Sequence, residues 1–163
     1  MVSSKDLQPD SAELRLQNLG IQLPAPPTPL GNYVETVRTG NLLYLSGMLP
    51  IVDRKPKYVG RLGKEFDTEA GRDAAYTTAL NAIAAARQHL GSLDKVTRVV
   101  RLGIFIATSG DFFDQPKVAD GASDIFRDVF GADKISTRLV IGVASLPVGV
   151  PIELEVIFEI AES

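Results

Sequence analysis

STRLVIGVASLPVGVPIELEVIFE, residues 136–159, decides the fold, because it writes two alternating strands around a Pro-Gly-Pro turn and plants a charge on each. The charges are Arg138 and Glu153. With the turn centred at Val148 and Gly149, antiparallel pairing sets Arg138 opposite Glu159 and Glu153 opposite Ala144. Period-two alternation then puts Arg138, Val140, Gly142, Ala144, Glu153, Glu155 and Ile157 on one face. Leu139, Ile141, Val143, Leu154, Val156 and Phe158 form the other, which reads as the core side. The first face mixes a lone cation, carboxylates and small residues, and suits a partner surface or a ligand.

Outward from this hairpin the chain reads as one α+β domain. Leu14, Leu16 and Leu19 mark a short helix over residues 11–19, capped by Asp10 or Ser11 and stopped by Gly20. The proline-rich 23–30 is extended and ties that helix to the rest of the chain, so residues 1–28 form an N-terminal extension and 29–163 the domain. Residues 33–39 and 41–46 read as strands around a Thr39-Gly40-Asn41 turn. Residues 52–62 read as a loop holding at most a short extended piece. The clearest helix spans 68–90, with Thr68 as N-cap and Gly91 as stop, its stripe of Ala75, Leu80, Ile83, Ala84 and Leu90 laid on the sheet. Residues 96–108 form a strand with Val100, Leu102, Ile104 and Ile106 on one face. A second helix over 115–130 turns Val118, Ala122, Ile125, Phe126 and Val129 inward. The result is a mixed sheet with both long helices on one face.

Composition narrows the chemistry. The 163 residues carry 45% hydrophobic side chains and a net charge of −3, enough for one core and without a basic stripe for nucleic acid. With no cysteine and a single histidine, His89, the chain has no thiolate chemistry, no histidine triad and no zinc cluster. His89, near a helix C-terminus, reads as structural. No apolar run approaches the roughly 18 residues of a membrane span, and the reading is a soluble, cytoplasmic protein without metal or cofactor.

Two motifs carry a family resemblance. Arg138 through Leu146-Pro147 to Ile152-Glu153-Leu154-Glu155 resembles the C-terminal signature of the RidA/YjgF family, also called endoribonuclease L-PSP-like or reactive-intermediate deaminases. Gly31-Asn32-Tyr33-Val34, followed by Gly40 to Ser46-Gly47-Met48-Leu49-Pro50, is similar to the family's tyrosine and its strand closing in Ser-Gly-x-x-Pro. The resemblance implies a chorismate mutase-like fold assembled as a homotrimer around a central β-barrel, with sites in the clefts between subunits. It implies cofactor-free hydrolysis of 2-imino or 2-enamino acids to 2-oxo acids and ammonia. The alternative is a trimeric protein that binds small carboxylate metabolites without converting them.

Within that reading Arg138 holds the substrate carboxylate, since a guanidinium presents a rigid donor fork and stays charged. Its bland alternative is an edge-strand arginine paired with Glu155 or Glu159. Glu153 is the acid-base group, against the alternative of an edge-protecting charge. Tyr33 closes the site from a neighbouring subunit, or simply packs; the Ser46 and Gly47 backbone supplies donors where glycine lets a ligand approach. The family's Arg-Ser-Cys is here Arg138-Leu139-Val140, and Val140 on the arginine's face dries or narrows the pocket. Along the hairpin Arg138 and Glu153 stand roughly 20 Å apart, too far to share a small ligand in one subunit. Cooperation therefore needs two copies.

Overall fold

A computed structural model describes residues 10–162. Helix α1 (Ala12–Asn18) is followed by strands β1 (Thr36–Thr39), β2 (Leu42–Leu45), β3 (Ile51–Val52) and β4 (Lys55–Pro56). Helix α2 (Thr68–Leu90), strand β5 (Val96–Ala107), helix α3 (Gln115–Phe130) and strands β6 (Thr137–Val143) and β7 (Ile152–Ile160) complete the chain. Five strands form a mixed sheet in the order β1-β2-β7-β5-β6, while β3 and β4 pair separately. That small ribbon lies where a loop is expected; Asp53 and Arg54 both take left-handed conformations, which close a two-residue hairpin. None of the helices among the described residues is long and apolar enough to cross a membrane.

Arg138 and Glu153 do not share a hairpin. Strand β5 lies between β6 and β7, parallel to the first and antiparallel to the second. The physical reason is the linker, residues 144–151. Its prolines and the 3-10 turn Pro147–Gly149 cannot donate a tight-turn ladder, so it bridges over the end of β5 instead. There Thr108 N–H donates to Val143 O at 3.1 Å and Ala107 N–H to Pro151 O at 2.9 Å. The twelve-residue β5 gains two neighbours, more pairing than a two-stranded hairpin offers.

Register then sets the faces. Leu102 is opposite both Arg138 and Val156, and Ile104 opposite both Val140 and Leu154. Leu102, Ile104, Leu154, Val156 and Phe158 are buried under the helices. The reading of β7 holds, but β6 is turned the other way: Arg138, Val140 and Gly142 are on the helix-covered face, and Leu139 and Ile141 on the open one. An edge strand only partly covered by α3 tolerates this phase because its arginine reaches the helix surface.

The helices behave closely to expectation. Asp67 rather than Thr68 caps α2, its Oδ1 accepting from Ala70 N–H at 2.9 Å, and Gly91 ends the helix in the left-handed region at φ 79°. Alanines at 74, 75, 79, 82 and 86 are fully buried, so α2 packs closely against both the sheet and the neighbouring α3. In β5 a register shift between Val99 and Arg101 buries Val99 and leaves Val100 half-buried, breaking the expected alternation there. His89 Nδ1 meets the Thr36 hydroxyl at 3.0 Å, tying the end of α2 to β1.

Helix α1 adds Ala12 and Leu16 to the same core. Its anchor is Glu13, buried at 5% exposure: Oε1 accepts from Leu93 N–H at 2.9 Å and Oε2 pairs with Arg87 at 2.9 Å. Glu13 N–H in turn donates to Asp94 Oδ1 at 2.9 Å.

Candidate functional site

Glu153 sits on the open face of β7, between Ile152 and Leu154, both fully buried. Partial burial disfavours its ionised form and raises its pKa above the ordinary glutamate value. Its carboxylate lies over Gly47, where a Cβ would overlap it. Glycine here makes room for the carboxylate, and its backbone conformation does not call for it.

The segment carrying Ser46 and Gly47 is held from three sides. Met48 and Leu154 exchange both backbone hydrogen bonds at 2.9 Å, pinning it to β7. Ser46 N–H donates to Glu35 O at 2.8 Å and its hydroxyl donates to Val34 O at 2.6 Å. Beneath, Asn81 of α2 donates from Nδ2 to Leu49 O at 2.8 Å and Ile51 O at 2.9 Å. Asn81 is 2% exposed. Sequence reasoning missed it, although an asparagine inside the alanine-rich ALNAIAAA was the available signal.

Tyr33 is half exposed on the strap before β1, and its hydroxyl oxygen accepts from Leu30 N–H at 3.0 Å. It belongs to the stretch whose next residue, Val34, fixes Ser46. Glu35, following it, also has its pKa raised by burial.

Arg138 stands apart from this group. Its Nη1 donates to Asp120 Oδ1 at 2.7 Å and Ser123 Oγ at 3.1 Å, both on α3. Neither Glu155 nor Glu159 takes it: Glu155 pairs with Arg101 and Glu159 accepts from Thr97. Arg138 also lines a cleft of ≈ 220 Å³ between α3 and β6, with Leu102, Phe126 and Ile135 as apolar wall. Val140 packs half-buried against the core on the same face.

One chain thus brings Ser46, Gly47 and Glu153 together and leaves Arg138 and Val140 elsewhere. Glu153 aligns with Phe105 and Ile141, two strands across from β7 to β6 and three residues beyond Arg138. With strands about 4.8 Å apart and about 3.3 Å per residue, that is roughly 14 Å, on opposite faces. The separation is shorter than the hairpin register implies, yet one small ligand still cannot touch both from the same chain. The open face meanwhile exposes Val37 (52%) and Tyr44 (40%) at the β1–β2 edge and Leu139 (43%) and Ile141 (38%) at the β6 edge, two apolar margins on either side of Arg101, Glu153 and Glu155.

The family profile described as "YjgF/chorismate_mutase-like, putative endoribonuclease" matches residues 13–162. Among curated proteins, Protein TCP17 of Trypanosoma cruzi is 40% identical over 146 residues, 89% of this chain and 91% of that protein. A 2-iminobutanoate/2-iminopropanoate deaminase of Dermatophagoides farinae is 32% identical over 135 residues, 83% of this chain and 91% of that one. Among solved structures, Atu1372 of Agrobacterium tumefaciens, a protein of unknown function, superposes with a TM-score of 0.84 at 36% identity, covering 92% of each chain.

Proposed function

Because the chain belongs to the RidA/YjgF family, with its chorismate mutase-like fold, we propose that it hydrolyses reactive 2-imino and 2-enamino acids to 2-oxo acids and ammonia. The site would form between copies of a homotrimer. Arg138 of one copy binds the substrate carboxylate, and Glu153 with the Ser46-Gly47 backbone comes from another, with Tyr33 and Val140 as walls. The exposed apolar side chains of the open sheet face support such an assembly.

Glu153 carries the reading. A carboxyl whose pKa is lifted by burial holds a proton closer to neutral pH, as a general acid requires. In the proposed reaction it protonates the enamine carbon to give the iminium. The resulting carboxylate then accepts a proton from water as that water adds to C2. Proton transfer to nitrogen and loss of ammonia leave the 2-oxo acid, with no redox step and no cofactor.

Ammonia and 2-oxo acid release from enzymatically generated 2-iminobutanoate tests this. Arg138→Ala and Glu153→Gln are each expected to cost on the order of 10²-fold or more in rate. Unchanged turnover in Glu153→Gln would remove its acid-base role. Absence of turnover in the wild type, with carboxylate binding lost only in Arg138→Ala, would establish a binding protein instead.

A further inference from the structure

We propose that Asp120 and Ser123 are positioning residues for Arg138, selecting which edge of its guanidinium meets a ligand carboxylate. The inference rests on Arg138 being the carboxylate anchor proposed above. Asp120 and Ser123 are three residues apart on α3 and share one helix face. Both take their hydrogen bond from the same nitrogen, Nη1.

A guanidinium can grip a carboxylate with two parallel N–H donors either through Nη1 and Nη2 or through Nε and Nη2. With Nη1 committed to α3, the Nε–Nη2 edge is the pair left for bidentate contact. An arginine on an edge strand otherwise samples several rotamers, and holding it in one reduces the ordering cost of binding.

The surrounding charges are consistent with a single anchoring cation. Arg127, on the same cleft, is paired with Asp124 and Asp128 on its own helix. Asp124 is shared further with Arg72 at 3.3 Å. The apolar wall of Leu102, Phe126 and Ile135 fits a short aliphatic chain beside the carboxylate. The ligand class is therefore a small monocarboxylate, and the Asp120 charge next to the fork disfavours a second negative group on it.

Asparagine at 120 keeps an oxygen that accepts from Nη1 but removes the charge, whereas alanine removes both. Titration of the full-length protein with 2-oxobutanoate, followed by calorimetry or by NMR, separates these roles. Asp120→Ala is expected to weaken binding about tenfold, and Asp120→Asn to bind as tightly as wild type or a few-fold tighter. Succinate, carrying a second carboxylate, should gain more from Asp120→Asn than 2-oxobutanoate does. Thermal melts confirm that each variant is folded. Asp120→Ala binding as well as wild type would overturn the positioning role while Arg138→Ala still abolishes binding. If Arg138→Ala leaves binding intact, or the wild type binds no carboxylate, the anchor reading itself falls and this inference with it.

Discussion

The two halves of the candidate site are built to different standards. Around Glu153, a central strand, a paired backbone bridge and a buried asparagine fix the Ser46-Gly47 segment in place. Around Arg138, an edge strand carries a side chain held by a partly exposed ion pair, its partner Asp120 being 47% exposed. Buried hydrogen bonds to backbone contribute to the stability of the fold, while a partly exposed pair contributes less to it and acts mainly by orienting its side chains. The first half is fixed by buried backbone contacts from three elements, and the second by a single side-chain clamp from α3.

Removing the support of the rigid half should have the largest effect. Asn81→Ala removes the donor shared by the Leu49 and Ile51 carbonyls, of which Leu49 O keeps its bond from Ile51 N–H at 2.8 Å, and opens space beside α2. We expect a loss of about 3 kcal/mol, read by urea unfolding monitored by circular dichroism. A loss under about 1 kcal/mol would mean that water replaces the amide and that this half is not held from below. Glu13→Ala makes a useful reference far from the site. It removes a buried anchor whose partner Arg87 is 41% exposed, and should cost about 2 kcal/mol without altering ligand binding.

Gly47→Ala sharpens the contrast differently. The added methyl meets the tip of a flexible side chain rather than backbone, so Glu153 can swing away. Stability should change by less than about 1 kcal/mol while turnover falls toward that of Glu153→Gln. A fully active Gly47→Ala would show that the carboxylate does not need its seat over residue 47.

How far the sequence was legible tracks the same division. The β7 alternation, the limits of α3 and the stop at Gly91 were readable because burial on one face imposes a period and glycine imposes a terminus. The pairing of β6 was not. Two alternating runs around Pro147 and Gly149 look like a hairpin, and local sequence carries no sign that β5 inserts between them. The phase of β6 failed with it, since an edge strand has one partner and too little burial to print a pattern. Asp120 escaped notice because a helix-surface aspartate acquires meaning only once its strand neighbour is known.

Glu153 itself yields the smallest effect and the most diagnostic sign. Its folded pKa is raised, so the fold favours the protonated form and the ionised form opposes folding. Wild-type stability should therefore decline as pH climbs from the ordinary glutamate value of 4.5 through the raised one, and Glu153→Gln should escape that decline. At pH 7 to 8 the variant is expected to be the more stable of the two, with the difference vanishing near pH 4. Glu35, raised by the same cause, titrates in both proteins and cancels from the comparison. A variant less stable than wild type at pH 8 would mean that the carboxylate is stabilised as an anion. Such an outcome would leave the rigid half of the site without its proton donor, and only the arginine half with a chemical role.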